Sequence, residues 1–218
     1  MKFSGLLRQT WAGFKVLIVF TVIAGIIYPL AVWGVSRFPG LQSKAEGSIT
    51  MVNGQAVGSS LIGLNPIDPN ARNNVTDDRY FHTRPSAEAA DFSVTDPTKL
   101  GLGANDGSAS AASNLAADSK VLTAQIAARK ALIAKREGVD PAQVPADAVT
   151  ASGSGLDPDI SVAYANLQAA RVARVNGLPL ATVQQIITAN TTGRAVGFVG
   201  EPVVNVLGLN LGVLADKR

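Results

Sequence analysis

The sequence predicts an α+β protein in which one N-terminal transmembrane helix precedes a single extracytoplasmic domain, a small antiparallel sheet with about three helices. Three observations predict it. Val16 to Ser36 holds no charged residue in 21 positions. An Asn53-Gly54 pair sits between two β-prone runs, and three segments beyond residue 112 carry helical periodicity with start and stop signals.

At about 1.5 Å rise per residue, Val16–Ser36 spans roughly 31 Å, the thickness of a bilayer's hydrocarbon core. Trp11 and Trp33 stand 22 residues apart, about 33 Å along a helix, which sets one indole at each membrane interface. Lys2, Arg8 and Lys15 precede the span and no acid occurs before Glu46, so the positive-inside rule keeps residues 1–15 in the cytoplasm and sends the rest outside. A cleaved signal peptide ending in Gly34 and Ser36 is disfavoured by the length of the run, by Pro29 within it and by the bulk of Trp33. Thr21, Gly25 and Pro29 form a stripe of small or kinked positions at i, i+4 and i+8, which a partner helix can approach closely.

Residues 37–47 form a polar exit rich in turn formers, and the domain occupies 48–218. Ser48–Val52 and Ala56–Gly63 read as two strands, because Asn and Gly tolerate the positive φ of a type I′ turn between them. From Leu64 to Ala112 the chain is dominated by Asn, Asp, Pro, Gly and Ser and reads as an ordered, loop-like excursion. A helix is expected from Ser113-Asn114, with Leu115, Leu122, Ile126 and Ile133 within about 20° on the helical wheel and Gly138 as its stop. Its Arg129-Lys130 and Lys135-Arg136 pairs read as a solvated face. Asp157 is expected to cap a second helix with Pro158 in its first turn, running through Ile160, Tyr164 and Leu167 to Asn176-Gly177. Arg171 and Arg174 fall in its apolar arc, where their stems cover the core edge and their heads reach water. Pro179 opens a third helix with Val183, Ile186 and Ile187 inward. VVNVL, residues 203–207, is a third strand that could complete the hairpin's sheet.

The formal charge of +3 comes from Lys2, Arg8 and Lys15; beyond the helix 16 basic residues balance 16 acids, so the electrostatic footprint of nucleic-acid binding is missing. With no cysteine and one histidine, His82, the usual zinc clusters and Cys-His nucleophiles are excluded, and a serine triad would need that one ring. His82 reads as a structural hydrogen-bonder. Ser152-Gly153-Ser154-Gly155 is the nearest approach to a phosphate-cradling loop. Asp157 and Asp159 would repel a polyphosphate there, so the run reads as a tight turn capped by Asp157. No catalytic residue and no metal ligand is assigned.

Several runs taken together resemble one family, the C subunits of the Kdp potassium-transporting P-type ATPase. They are the helix with Tyr28-Pro29-Leu30, Gly58-Ser59 with Leu61-Ile62-Gly63, YFHTRPSA at 80–87, Ser113-Asn114-Leu115, VTASGSGLDPDIS at 149–161, the helix around Gln168, Arg171, Val172 and Ala173, and GEPVVNVLGLN at 200–210. They run in order through nearly the whole chain. The departure is at 110–118, where alanines replace Gly and Pro of the family. The resemblance implies an accessory, non-catalytic subunit of an inner-membrane pump, in contact with lipid. Its partners would be a channel-like potassium-conducting subunit, an ATP-hydrolysing subunit and a small single-helix subunit. ATP and potassium would be handled by the complex, with a family-assigned role in raising the ATP affinity of the hydrolysing subunit through contacts near 150–157. A membrane-tethered periplasmic hydrolase using His82, or a tethered solute-binding domain, are the alternatives from other classes.

Overall fold

The computed structural model describes residues 3–71 and 74–217. The chain divides into two compact units between Ile49 and Thr50. In the first, α1 (Phe3–Val22) and α2 (Tyr28–Ser36) flank a π turn, Ile23–Ile27. Ser4–Ser36 is a 33-residue helical stretch long and apolar enough to cross a membrane. The π turn has a local cause. Pro29 has no N–H to give the Gly25 carbonyl, and the Tyr28 N–H donates back to Ile23 O, an i→i−5 bond that absorbs one residue. The Lys15 ammonium lies 5.5 Å from the centre of the Trp11 ring and the Arg37 guanidinium 5.3 Å from that of Trp33, so a cation–π contact marks each end of the apolar run. The polar exit contains one short helix, α3 (Gln42–Ala45), and is folded back by an Arg37–Glu46 ion pair at 2.8 Å.

The expected hairpin starts at the boundary between the two units, with β1 (Ile49–Val52) and β2 (Gln55–Ser59) turned by Asn53 (φ 51°) and Gly54 (φ 79°). Residues 60–71 and 74–119 are irregular but ordered, with two 3₁₀ turns at Pro69–Ala71 and Val75–Asp77 and two isolated bridges, Ala89 to Asn105 and Phe92 to Leu100. Then come α4 (Lys120–Glu137), β3 (Asp159–Ser161), α5 (Val162–Asn176), α6 (Leu180–Ala189), β4 (Thr191–Thr192), β5 (Val203–Asn205) and α7 (Val206–Asp216). Gly138 and Gly177 end α4 and α5 in the left-handed region, at φ 71° and 70°, where a side chain would be penalised.

Four expectations are corrected. The first of the domain's long helices starts at Lys120, not near Ser113, because the Ser119 side chain caps it by accepting from Leu122 N; Leu115 lies outside it. The α5 helix starts at Val162 with Ser161 as its cap, since Asp159–Ser161 is taken by strand pairing with Val203–Asn205. The strand at 203–205 joins β3 and β4 in its own antiparallel sheet, order β3-β5-β4, and does not extend the β1-β2 hairpin. Its continuation, Val206 and Leu207, opens α7, capped by the Asn205 side chain on Gly208 N.

The core lies between this sheet and α4–α7: Phe81, Ile133, Ile160, Tyr164, Val172, Val183, Val204, Val206 and Leu209 are each buried to within 2%. Removing such side chains from water is the main favourable term of the fold.

Candidate functional site

The two most distinctive motifs, YFHTRPSA and TASGSGLDP, are 70 residues apart in sequence and lie against each other in the domain. Ser152 N–H donates to Pro85 O at 2.9 Å, Ser86 Oγ donates to Gly155 O at 2.7 Å, and Arg84 pairs with Asp157 at 3.1 Å.

The segment entering the first motif has no sheet partner, yet it runs through the core. Its backbone must therefore be satisfied by side chains. Five consecutive carbonyls are: Asp78 O and Tyr80 O accept from the Arg171 guanidinium, Arg79 O from Asn176 Nδ2, Phe81 O from Asn210 Nδ2 and His82 O from Gln168 Nε2. The Asn210 and Gln168 amides also accept from the N–H of Phe81 and His82, at 2.8 and 2.9 Å. Each amide thus imitates one rung of a sheet.

A buried charge cluster closes over this segment. The Glu137 carboxylate, fully enclosed, receives Arg136 Nε at 2.7 Å and Arg171 Nε at 2.9 Å, while Arg136 also donates to Tyr164 Oη at 2.9 Å. Burial draws the Arg171 guanidinium below its ordinary range against the pull of Glu137. Two further expectations are corrected here. Arg171 is enclosed, with its head in the cluster and not in water, whereas Arg174 is exposed. Arg129 and Arg136 are buried too, and of the Arg129-Lys130 and Lys135-Arg136 pairs only Lys135 is exposed. Arg129 donates to Leu100 O at 2.7 Å and Val149 O at 2.9 Å, and Gln125 beside it donates to Ser93 O and Lys99 O, each at 2.8 Å. Burial lowers the Arg129 guanidinium to about 10, with Asp91 opposing.

His82 sits in the same enclosure, 6% exposed. Asn65 donates its amide to Leu102 O and presents Oδ1 to the ring at 2.9 Å, so Nδ1 is the protonated nitrogen. Nε2 lies 3.0 Å from Asp78 Oδ2 but out of line for a hydrogen bond. Burial, together with Arg136, pushes the imidazole down to about 4, with Asp78 opposing.

The Gly-Ser run is a tight turn whose donors face inward. The amide of Ser154 donates to Ser152 Oγ, that of Gly155 to Ser152 O, that of Leu156 to Ser154 Oγ and that of Asp157 to Ser152 Oγ. Gly155 is at φ 73°, and a Cβ on it would stand 2.8 Å from Ala111 O. Asp157, expected as a helix cap, instead accepts from Asp159 N and pairs with Arg84. Gly153 has open space around it. In the helical unit Thr21, Gly25 and Pro29 are all exposed. The residue absorbed by the π turn leaves Thr21 and Pro29 about 20° apart around the axis rather than about 80°. Among the described residues no group of three His, Asp or Glu side chains is placed to hold a metal ion.

Comparison with known proteins identifies the family to which the chain belongs. A family model described as KdpC, K+-transporting ATPase, c chain, matches residues 10–215. The "Potassium-transporting ATPase KdpC subunit" of Streptomyces coelicolor is 43% identical over 217 residues, 95% of this chain and 92% of its own. The protein of the same name from Rhodopseudomonas palustris is 42% identical over 216 residues, 98% of this chain and 100% of its own. The one from Mycobacterium tuberculosis is 41% identical over 207 residues, 94% and 96% of the two chains. The chain belongs to the KdpC family, the c chains of K+-transporting ATPases.

Proposed function

We propose that this accessory subunit of a potassium-transporting ATPase works by association, without a catalytic centre or cofactor of its own. In this reading residues 16–36 cross the inner membrane once, residues 1–15 stay in the cytoplasm and the domain from residue 48 lies outside. The Thr21, Gly25, Pro29 stripe meets a helix of the channel-like subunit, and the domain stabilises the complex at that subunit's ion entrance. ATP and potassium are handled by the partners. Any gain in ATP affinity of the hydrolysing subunit then comes through complex stability, since nucleotide is cytoplasmic and only the first dozen or so residues of this chain are.

One observation carries the reading. The amides of Ser154 to Asp157, the nearest thing to a phosphate cradle, are bonded within their own turn, and a phosphate site needs such donors free and convergent. Calorimetric titration of the full chain in detergent with ATP tests it. No saturable heat is expected up to millimolar nucleotide; saturable binding that Ser152→Ala and Ser154→Ala abolish would overturn the proposal in favour of the direct nucleotide role. Orientation is tested separately by cysteines placed at Ser43 and Lys217, which should react with an impermeant reagent in cells whose inner membrane is intact.

A further inference from the structure

Between β4 and β5 the chain makes a small apolar tip that none of the described residues of the domain covers. Val196, Phe198 and Val199 are 80%, 74% and 52% exposed, an unusual density of apolar surface on one turn. No charged residue occurs from Ala195 to Gly200, and the two that flank it, Arg194 and Glu201, neutralise each other in an ion pair at 2.6 Å. The tip's backbone is already satisfied internally: Ala195 N–H donates to Val199 O, Val199 N–H to Ala195 O, Gly197 N–H to Arg194 O and Phe198 N–H to Ala195 O. Entry into hydrocarbon or headgroup surroundings therefore leaves few amides of the tip unpaired, which is the condition a lipid-inserted segment has to meet. Val196 holds this turn at φ 46°, a conformation that β-branched residues rarely take.

We infer that the 195–199 tip dips into the lipid interface and gives the domain a second membrane contact. This rests on the single-pass reading of residues 16–36. That reading supplies the partner, because thirteen residues, 37–49, tie the domain to the bilayer and reach at most about 45 Å even when extended. The domain itself is roughly 40 Å across, so lipid is held within its reach at high effective concentration whatever its orientation. A bilayer also fits the chemistry of the tip, apolar side chains without net charge, with Phe and Val entering at headgroup depth.

The test uses the full chain in nanodiscs of phosphatidylcholine and phosphatidylglycerol at three to one. Since the chain has no cysteine, single cysteines at Phe198, Lys135 and Phe20 carry an environment-sensitive fluorophore, and nitroxide lipids serve as quenchers. Phe20 lies in the apolar helix and Lys135 on the exposed face of α4. The expected result is a blue-shifted, quenched signal at 198 and at 20, with a water-like, unquenched signal at 135. A water-like probe at 198 beside a quenched probe at 20 overturns the inference alone. A water-like probe at both overturns the single-pass reading as well. Protection at 198 that arises only when the other pump subunits are added, without quenching by lipid, makes the tip a protein contact and also overturns it.

Discussion

Glu137→Gln isolates the energetics of the buried cluster, because it removes one charge and almost no volume. In the folded domain the Glu137 side chain is fully enclosed and receives two guanidinium groups, at 2.7 and 2.9 Å, from Arg136 and Arg171, themselves 6% and 1% exposed. Neutralising it leaves two positive charges in a low-dielectric enclosure with Asp78 as the nearest acid, 3.8 Å from Arg171. Breaking one side of a buried pair costs about 3–5 kcal/mol, out of a total of about 5–15 kcal/mol for a domain. At about 2–4 °C per kcal/mol for a unit of this size, the midpoint should fall by about 6–20 °C. The assay is thermal unfolding followed by far-ultraviolet circular dichroism at neutral pH. Glu201→Gln is the control. Its ion pair with Arg194 is as short, 2.6 Å, but the two side chains are 76% and 44% exposed, so solvent screening holds its loss to about 1 kcal/mol or less. Burial, not distance, is therefore what the comparison tests. Equal shifts for the two substitutions, or a shift under about 3 °C for Glu137→Gln, would refute the reasoning.

Three further outcomes follow. With the His82 imidazole held at about 4 in the fold against about 6.5 unfolded, the unfolded chain binds the extra proton, so stability is fully present above pH 6.5. It should decline by about 3 kcal/mol as pH falls from 6.5 to 4, and His82→Gln should flatten that part of a denaturation profile. Gly155→Ala forces a side chain into the left-handed region and against Ala111 O, and should cost about 1–3 kcal/mol in chemical denaturation. In the helical unit, a Cβ placed on Gly25 meets nothing within 4 Å among the described residues beyond its own stretch of helix, which leaves that side open to Gly25→Leu. Membrane insertion should survive it, while co-purification with the channel-like subunit should be lost if close helix approach drives that contact.

Hydrophobic patterning made the elements legible where they bury apolar side chains against one another. The Asn53-Gly54 turn, the Gly138 and Gly177 stops and the Val183, Ile186, Ile187 face of α6 all stand where the sequence places them. The pattern failed where a helix packs on irregular chain. Such chain carries carbonyls with no ladder partner, and a helix facing it has to present donors instead of methyl groups. The α4 helix does so with Gln125 and Arg129, and α5 with Gln168, Arg171 and Asn176. A sequence signal was available for this. Arg129 and Arg136 stand seven residues apart in the same arc as Leu122, and Arg171 shares the arc of Leu167, so long cationic side chains interrupt an otherwise inward stripe.

The same logic explains why the two halves of the site could not be joined by inspection. Nothing local to YFHTRPSA names the residues that satisfy it, since Gln168 and Asn210 lie 86 and 129 positions away. What the sequence does carry is the need. The stretch from Leu64 to Ala112, too poor in apolar residues to build strands, still places Phe81 at the centre of the core, and its carbonyls must find donors there or leave water at a cost of about 1–3 kcal/mol each. That need accounts for Asn, Gln and Arg on the inner faces of α4, α5 and α7, and makes the family motifs of this chain a wiring of its fold, with the exposed apolar helix, hairpin and 195–199 tip left as the surfaces that can meet something else.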